Sequence, residues 1–196
     1  SSSNRAIQTA RPTAELTHNE LHILDWCNES HAWEQMTVRS PDGKKDWCWR
    51  DPACRRLFQS EETRRLGMAW YRQPAFADTA FGEGMERVQA ETDRFLAGLG
   101  YEHDRAGVCY RAVAPNEKRI ALFAHQGFGF CFLSAVLDIP YPWLTLHTDL
   151  GHSSITVIEF REDGDGVVIP QMLQMSGDAH LYRDGLPTRY QNRIDI

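Results

Sequence analysis

The sequence predicts a layered α/β protein, because segments with helical and strand patterns alternate along the chain. A helical pattern over residues 82–100 is followed by apolar strand patterns and by an apolar helix. From this alternation we expect three layers, α/β/α, around a central mixed, mostly parallel sheet. The chain has 196 residues, enough for a complete hydrophobic core, so we assign residues 1–196 to a single domain.

The amino-terminal part combines a helix with an irregular segment. The opening SSSNRAIQTA predicts a helix that is capped by Ser3 or Asn4 and is kinked or restarted by Pro12. We interpret residues 35–80 as a cap inserted into the domain, because polar turns interrupt them, and we expect one helix over residues 51–71. Five of the six tryptophans lie between Trp26 and Trp70. They either roof a site or pack as a satellite core.

The second half of the chain carries the clearest patterns. Apolar residues recur at helical spacing over residues 82–100, where glycines end the helix. Residues 127–138 predict a second, apolar helix. Strands are predicted at residues 108–113, 119–124, 153–160 and 167–175. Because residues 119–124 are almost continuously apolar, we expect this strand to be buried on both faces.

Composition excludes several classes of protein. The formal net charge is −6 and the sequence has no basic stripe, which argues against nucleic-acid partners. The apolar runs are too short to span a bilayer, so no membrane partner is expected. Five cysteines with irregular spacing predict neither a zinc site nor a disulfide framework. Free thiols favour a cytoplasmic location.

His125 stands out because of its predicted position. It follows the apolar strand over residues 119–124, at the carboxyl end where open α/β sheets bind ligands. An apolar helix begins directly after it, and the free N–H groups and dipole at that end favour an anion. Gly127 leaves room for a close approach. The alternative is a histidine held by hydrogen bonds in an ordinary loop.

Arg5 and Glu29 are the other candidates. An arginine in the first turn of a helix opposes the helix dipole, and its guanidinium suits a phosphate group. Glu29 lies near Trp26 and Cys27, where partial burial would raise its pKa and suit it to donate a proton. Taken separately, an exposed arginine in a surface ion pair and a solvated loop glutamate stay open as alternatives.

Together these residues resemble a known family. Residues 1–10 resemble the "SS…RAxQTA" segment of the histidine phosphatase superfamily, the phosphoglycerate-mutase-like proteins. Residues 28–29 lie where that family has its proton-donating acid. The FAHQG of residues 123–127 resembles its second-histidine motif, and residues 153–157 and 179–181 are similar to its closing strands and "HL" ending. The resemblance covers nearly the whole chain except the cap.

The resemblance implies a phosphomonoesterase that works through a phosphohistidine intermediate on a small phosphorylated metabolite. Its implied catalytic residues are His125, Glu29 and Arg5. Arg5, His125 and Gln126 would bind the phosphoryl oxygens, and Glu29 would protonate the leaving alcohol. No metal or other cofactor is implied, since arginine and histidine supply the positive charge. The expected partner is a small-molecule phosphomonoester, and a homodimer stays open.

One departure from the family pattern concerns the nucleophile. The family begins with a strand that ends in RHG, whose histidine accepts the phosphoryl group, and this sequence has no such triplet. We therefore expect the first strand and helix of the fold to be missing from residues 1–196. A non-catalytic binding or regulatory protein with the same phosphate pocket is the alternative. A phosphoglycerate-mutase-type phosphotransferase is a further one, disfavoured because residues 30–33 read SHAW after the acid.

Two other patterns suggest chemistry that we do not expect. Residues 163–167, DGDGV, match the nucleophile loop of aspartate-based phosphatases, but the chain left after them is too short for that family, and we interpret them as a turn. His18 and His22 have the i, i+4 spacing of a helical metal site without the full HExxH motif, and we interpret them as a solvated helix face.

Overall fold

The structure, a computed structural model, describes residues 1–162 and 164–187. Helices in these ranges are Asn4–Thr17 (α1), Glu29–Gln35 (α2), Pro52–Phe58 (α3), Glu61–Leu66 (α4), Phe81–Gly98 (α5), Gln126–Leu137 (α6), Tyr141–His147 (α7) and Ala179–Arg183 (α8). Short 3₁₀ turns cover Asp25–Cys27, Gly67–Arg72 and Pro74–Phe76. Strands are Thr37–Arg39 (β1), Lys45–Trp47 (β2), Tyr101–Asp104 (β3), Cys109–Ala112 (β4), Ile155–Glu159 (β5), Val167–Val168 (β6) and Gln171–Gly177 (β7).

The strands form small antiparallel sheets, and the prediction of a central, mostly parallel sheet is wrong. Within the described ranges, β1 pairs with β2, β3 and β6 flank β4, and β5 pairs with β7. All of these pairings are antiparallel. The coarser prediction, a protein of mixed helices and strands, is confirmed.

The predicted strand over residues 119–124 explains part of that error. It pairs with no strand in the described part of the chain, and Ile120 is 52% exposed instead of buried on both faces. The backbone nitrogen of Ser1 does donate a hydrogen bond to Phe123 O, at 3.1 Å. A strand belongs to a sheet only when its backbone is hydrogen-bonded to that of a second strand. The apolar pattern of residues 119–124 alone therefore does not make a sheet.

A proline divides the last predicted strand. Residues 167–175 were expected to be continuous, but the chain forms β6 and then β7, with Pro170 between them. Proline has no N–H group, so it cannot donate to a strand ladder. The two halves pair in different sheets, β6 with β4 and β7 with β5.

The helices over the second half agree with the sequence patterns. The structure confirms a helix over residues 82–100 as α5, whose buried side chains include Met85, Val88 and Leu96. It also confirms the apolar helix over residues 127–138 as α6, which begins one residue earlier. Because α6 is apolar around most of its surface, it lies in the middle of the core, against α2, α5 and α7.

Predictions for the first half were less accurate. Helix α1 begins after Ser3, as predicted, but it continues through Pro12 to Thr17. His18 ends α1 in the left-handed conformation, with φ 55°, so the segment from His18 to His22 is not a helix face as predicted. The single helix expected over residues 51–71 is instead α3, α4 and a 3₁₀ turn. Asp51 and Ser60 cap α3 and α4 with their side chains, which is why the chain breaks there.

The three tryptophans of residues 35–80 pack into the main core. Trp47, Trp49 and Trp70 are buried in the same cluster as Phe128 and Phe130 of α6. These contacts favour a structural role for the three buried indoles. The assignment of residues 35–80 as a cap stays a prediction.

No helix in the described ranges is both long enough and apolar enough to cross a membrane.

Candidate functional site

The candidate residues lie at the amino ends of three helices. Arg5 is exposed in the first turn of α1. Glu29 is the first residue of α2, where the Asn28 side chain caps the helix by accepting from Ser30 N at 3.0 Å. His125 is the N-cap residue of α6, with an extended backbone. Each helix therefore begins at the residue that the sequence singled out, or next to it.

Glu29 is bound to the amino end of α6. Its Oε1 accepts a hydrogen bond from Gly127 N at 2.9 Å, and its Oε2 accepts one from Phe128 N at 2.8 Å. These two N–H groups are among those that α6 itself cannot satisfy, and the helix dipole favours a negative charge there. The sequence led us to expect a ligand anion at this point. In the structure a carboxylate of the chain occupies it.

The environment of Glu29 acts on its pKa in both directions. Burial raises the pKa, while the hydrogen bonds from Phe128 and Gly127 and the charge of Arg5 lower it. Burial is the largest effect, and the pKa lies above the usual value for glutamate. This is the direction that a proton donor requires.

His125 has an unusual hydrogen-bonding state. Its Nδ1 atom is buried and has no hydrogen-bond partner among the described residues. Burial and the positive charge of Arg5 both lower the pKa of this histidine. An unpaired buried nitrogen is costly, because it has lost its hydrogen bonds to water without gaining a partner in the protein.

Arg5 connects the other two residues electrostatically. Its charge lowers the pKa of both Glu29 and His125, so the guanidinium lies within electrostatic range of both side chains. Glu29 and His125 are linked more directly, because Glu29 accepts hydrogen bonds from the first turn of the helix that His125 caps. Arg5 is exposed, so its guanidinium can be reached by a ligand from solvent.

Gln126 is placed less favourably for phosphate. It is the first residue of α6, but its Nε2 donates a hydrogen bond to Asp149 Oδ1 at 2.6 Å. One of the two N–H donors of this side-chain amide is thus already bonded to a carboxylate. The role of Gln126 in phosphate binding stays a prediction.

The absence of a side chain at Gly127 lets the Trp47 indole pack closely against α6, where the sequence suggested the approach of a ligand. A Cβ atom at this position would overlap Trp47 Cη2, would lie 2.7 Å from Trp47 Cζ3 and would be 2.9 Å from Glu29 Oε1. The Trp47 ring stacks on the Trp49 ring, with centroids 4.5 Å apart. It also makes an edge-to-face contact with the Trp33 ring, and Trp33 is 37% exposed. The indole of Trp47 therefore contributes to the burial of Glu29.

A second hydrogen-bond network joins the starts of α1 and α2, and the sequence analysis missed it. Ser2 Oγ donates to Asp25 Oδ1 at 2.6 Å, and Asn28 Nδ2 donates to Ser2 Oγ at 2.7 Å. His31 Nε2 lies 3.2 Å from Asp25 Oδ2. These bonds link the start of α1, which carries Arg5, to the start of α2, which carries Glu29. The N-cap signal at Asn28 was visible in the sequence, but its long-range partner was not.

Neither of the disfavoured sites gains support. In the loop near residue 163, which itself lies outside the described residues, Glu162 Oε1 accepts hydrogen bonds from Gly164 N and Gly166 N, as in a turn. No group of three or more histidine, cysteine, aspartate or glutamate residues among those described could hold a metal ion.

Comparisons of the chain with protein-family models, with curated proteins and with solved structures found no match. The resemblance to histidine phosphatases therefore rests on the motifs of the sequence.

Proposed function

We propose that this chain carries the phosphate-binding and proton-transfer groups of a phosphomonoesterase that works through a phosphohistidine intermediate. The supporting observation is that Glu29 is bonded to the amino end of α6, which His125 caps, and that the charge of Arg5 acts on both side chains. A cation, a carboxyl group with a raised pKa and a partly buried histidine are the set that this reaction needs beside its nucleophile.

Each residue has a separate task in this proposal. The Arg5 guanidinium binds two phosphoryl oxygens, and His125 donates a hydrogen bond to a third as charge shifts in the transition state. Glu29 protonates the leaving alcohol and then takes a proton from the attacking water. The nucleophile, in this account, is the histidine that the family carries ahead of the "SS…RAxQTA" segment.

The bond between Glu29 and α6 adds a condition to this mechanism. While Glu29 accepts from Gly127 N and Phe128 N, its oxygens face the helix. Protonation weakens these bonds, because a neutral carboxyl group is a poorer acceptor than a carboxylate. Once protonated, Glu29 can release at least one of these N–H groups, and a phosphoryl oxygen can then accept from that group.

A non-catalytic phosphate-binding protein is the second candidate. It is favoured by the observation that Arg5 and His125 are suited to bind phosphate as they stand, whereas covalent transfer needs a further group. The same site would then respond to a phosphorylated metabolite without hydrolysing it. A phosphoglycerate-mutase-type phosphotransferase has no structural observation in its favour.

Trapping of phosphohistidine separates these candidates. The full-length protein is incubated with ³²P-labelled phosphomonoester, quenched in alkali and tested for acid-labile label. We expect label on a histidine, and we expect residues 1–196 alone to bind phosphate without turnover. If the full-length protein binds phosphate but carries no label and gives no hydrolysis, the binding protein is correct and the phosphatase proposal is wrong.

A further inference from the structure

A partly buried charge cluster lies at the opposite end of α6 from the candidate site. It consists of His103 of β3, Arg105 in the turn after β3, Asp93 of α5 and Asp138, which follows the last residue of α6. The His103 side chain is only 1% exposed and that of Asp138 is 9% exposed. Charged groups are rarely buried to this extent unless they are paired.

Both ring nitrogens of His103 face carboxylate oxygens. Nδ1 lies 2.8 Å from Asp93 Oδ1, and Nε2 lies 2.8 Å from Asp138 Oδ2. A neutral imidazole has one N–H group, so one of its nitrogens would direct a lone pair at an oxygen lone pair. The imidazolium ion has two N–H groups and satisfies both contacts. The geometry therefore fits the protonated ring.

The charge balance of the cluster supports the same state. Arg105 binds Asp93 through Nε at 3.0 Å and Nη2 at 2.7 Å, and it donates from Nη1 to Asp138 Oδ1 at 3.2 Å. With His103 protonated, two cations balance two carboxylates. With His103 neutral, the cluster carries one uncompensated negative charge, which is unfavourable beside a carboxylate as buried as that of Asp138.

The cluster fixes the end of α6 to its neighbours. Asp138 ends the helix in the left-handed conformation, with φ 50°, and its carboxylate is bound by both cations. Tyr110 of β4 stacks on the His103 ring, with centroids 4.0 Å apart, and donates from its hydroxyl to Val136 O at 3.1 Å. Thus α5, the β3–β4 hairpin and α6 are all joined through His103.

We propose that His103 is a protonation-dependent latch, which as the imidazolium ion ties the end of α6 to α5 and the β3–β4 hairpin, and which loosens that end when the proton is lost. The charged groups that face its ring are Asp93 from α5, Asp138 from the end of α6 and Arg105 from its own hairpin. The latch is independent of the phosphate site, although α6 connects the two.

The direction of the pH effect follows from the surroundings of the ring. Burial alone lowers the pKa of His103, but the hydrogen bonds to Asp138 and Asp93 outweigh it, so the pKa lies above the usual histidine value. The stabilisation by His103 is therefore complete below its unfolded pKa of about 6.5 and is lost as the pH rises through the folded value. Between the two values, the unfolding equilibrium constant should rise by up to about tenfold per pH unit.

Urea unfolding between pH 5.5 and 9, combined with NMR titration of the His103 Cε1 proton, tests the latch. Wild type and the control His22→Gln, which changes an exposed histidine, should lose stability in this window, while His103→Gln should show a flatter pH dependence. The NMR midpoint of His103 should exceed about 6.5. An unchanged slope in His103→Gln, or a midpoint at or below that value, would overturn the proposal.

Asp93→Asn keeps the test decisive if His103→Gln does not fold. Asp93 is 34% exposed, so this change is milder, and it removes one of the two carboxylates on the ring. The His103 midpoint should fall by on the order of one pH unit. An unchanged midpoint in Asp93→Asn would show that Asp93 does not help to hold the proton, and the latch as proposed, with both carboxylates on the ring, would be refuted.

Discussion

Glu29 and Phe128 are joined by a hydrogen bond of 2.8 Å from the backbone nitrogen of Phe128 to Oε2 of Glu29, across 99 positions of the chain. This bond places a carboxylate where the sequence suggested a phosphate. The proposed mechanism needs Glu29 and the phosphoryl group to share the amino end of α6. The two groups therefore compete there, and the competition can be measured.

Glu29→Gln should strengthen the binding of inorganic phosphate. The substitution removes a negative charge beside the proposed phosphate site, and we expect an affinity about tenfold higher, equivalent to about 1.4 kcal/mol less repulsion. Isothermal titration calorimetry at low ionic strength measures it. Glu34→Gln is the matched control, because Glu34 is exposed on the same helix. Equal affinities in the two variants would show that Glu29 does not share its position with phosphate.

The same residue predicts a pH dependence of stability. Because burial raises the pKa of Glu29, the folded chain holds its proton more tightly than the unfolded chain does. Stability should therefore fall as the pH rises from the unfolded value of about 4.3 through the raised folded value. Urea unfolding from pH 4 to 7 should show this fall in wild type and a smaller one in Glu29→Gln. A fall of the same size in both proteins would assign it to other carboxyl groups.

Gly127→Ala should destabilise the fold. The added methyl group would overlap the Trp47 indole and press on Glu29 Oε1, and overpacking of this kind costs about 1–3 kcal/mol. Gly98→Ala is the control, since no atom lies within 4 Å of a Cβ at that position of α5, and it should be neutral or stabilising. Thermal unfolding compares them. A Gly127→Ala protein as stable as Gly98→Ala would mean that Trp47 does not pack against α6 in this way.

The sequence predicted helices better than sheets. A helix depends on residues close together in the sequence, whereas a sheet depends on pairing between distant segments. The apolar spacing of Met85, Val88 and Leu96 is local, and α5 appears where that spacing occurs. A strand depends on its neighbour, and residues 119–124 have an apolar pattern without one among the described residues. Pro170 was visible in the sequence and should have divided the last strand.

The sequence suggested which residues could form the site, but it did not predict the contacts between them. Arg5, Glu29 and His125 were chosen from motifs, and the structure places each of them at or next to the start of a helix. The bond from Glu29 to α6 could not be predicted, because it joins distant positions and depends on how α2 packs against α6. His103 was also missed, since a single histidine in a strand gives no signal until its two carboxylate partners are known.

The central claim is that Arg5 and His125 bind one phosphate group, and NMR titration of residues 1–196 with inorganic phosphate tests it most directly. The His125 Cε1 proton should shift with saturation, and its pKa, lowered in the free protein, should rise on binding because the dianion favours the protonated ring. Arg5→Ala should abolish the shift, while Arg11→Ala, which changes an exposed arginine of the same helix, should preserve it. A His125 signal that does not respond to phosphate, or an equal response in Arg5→Ala and Arg11→Ala, would contradict the account.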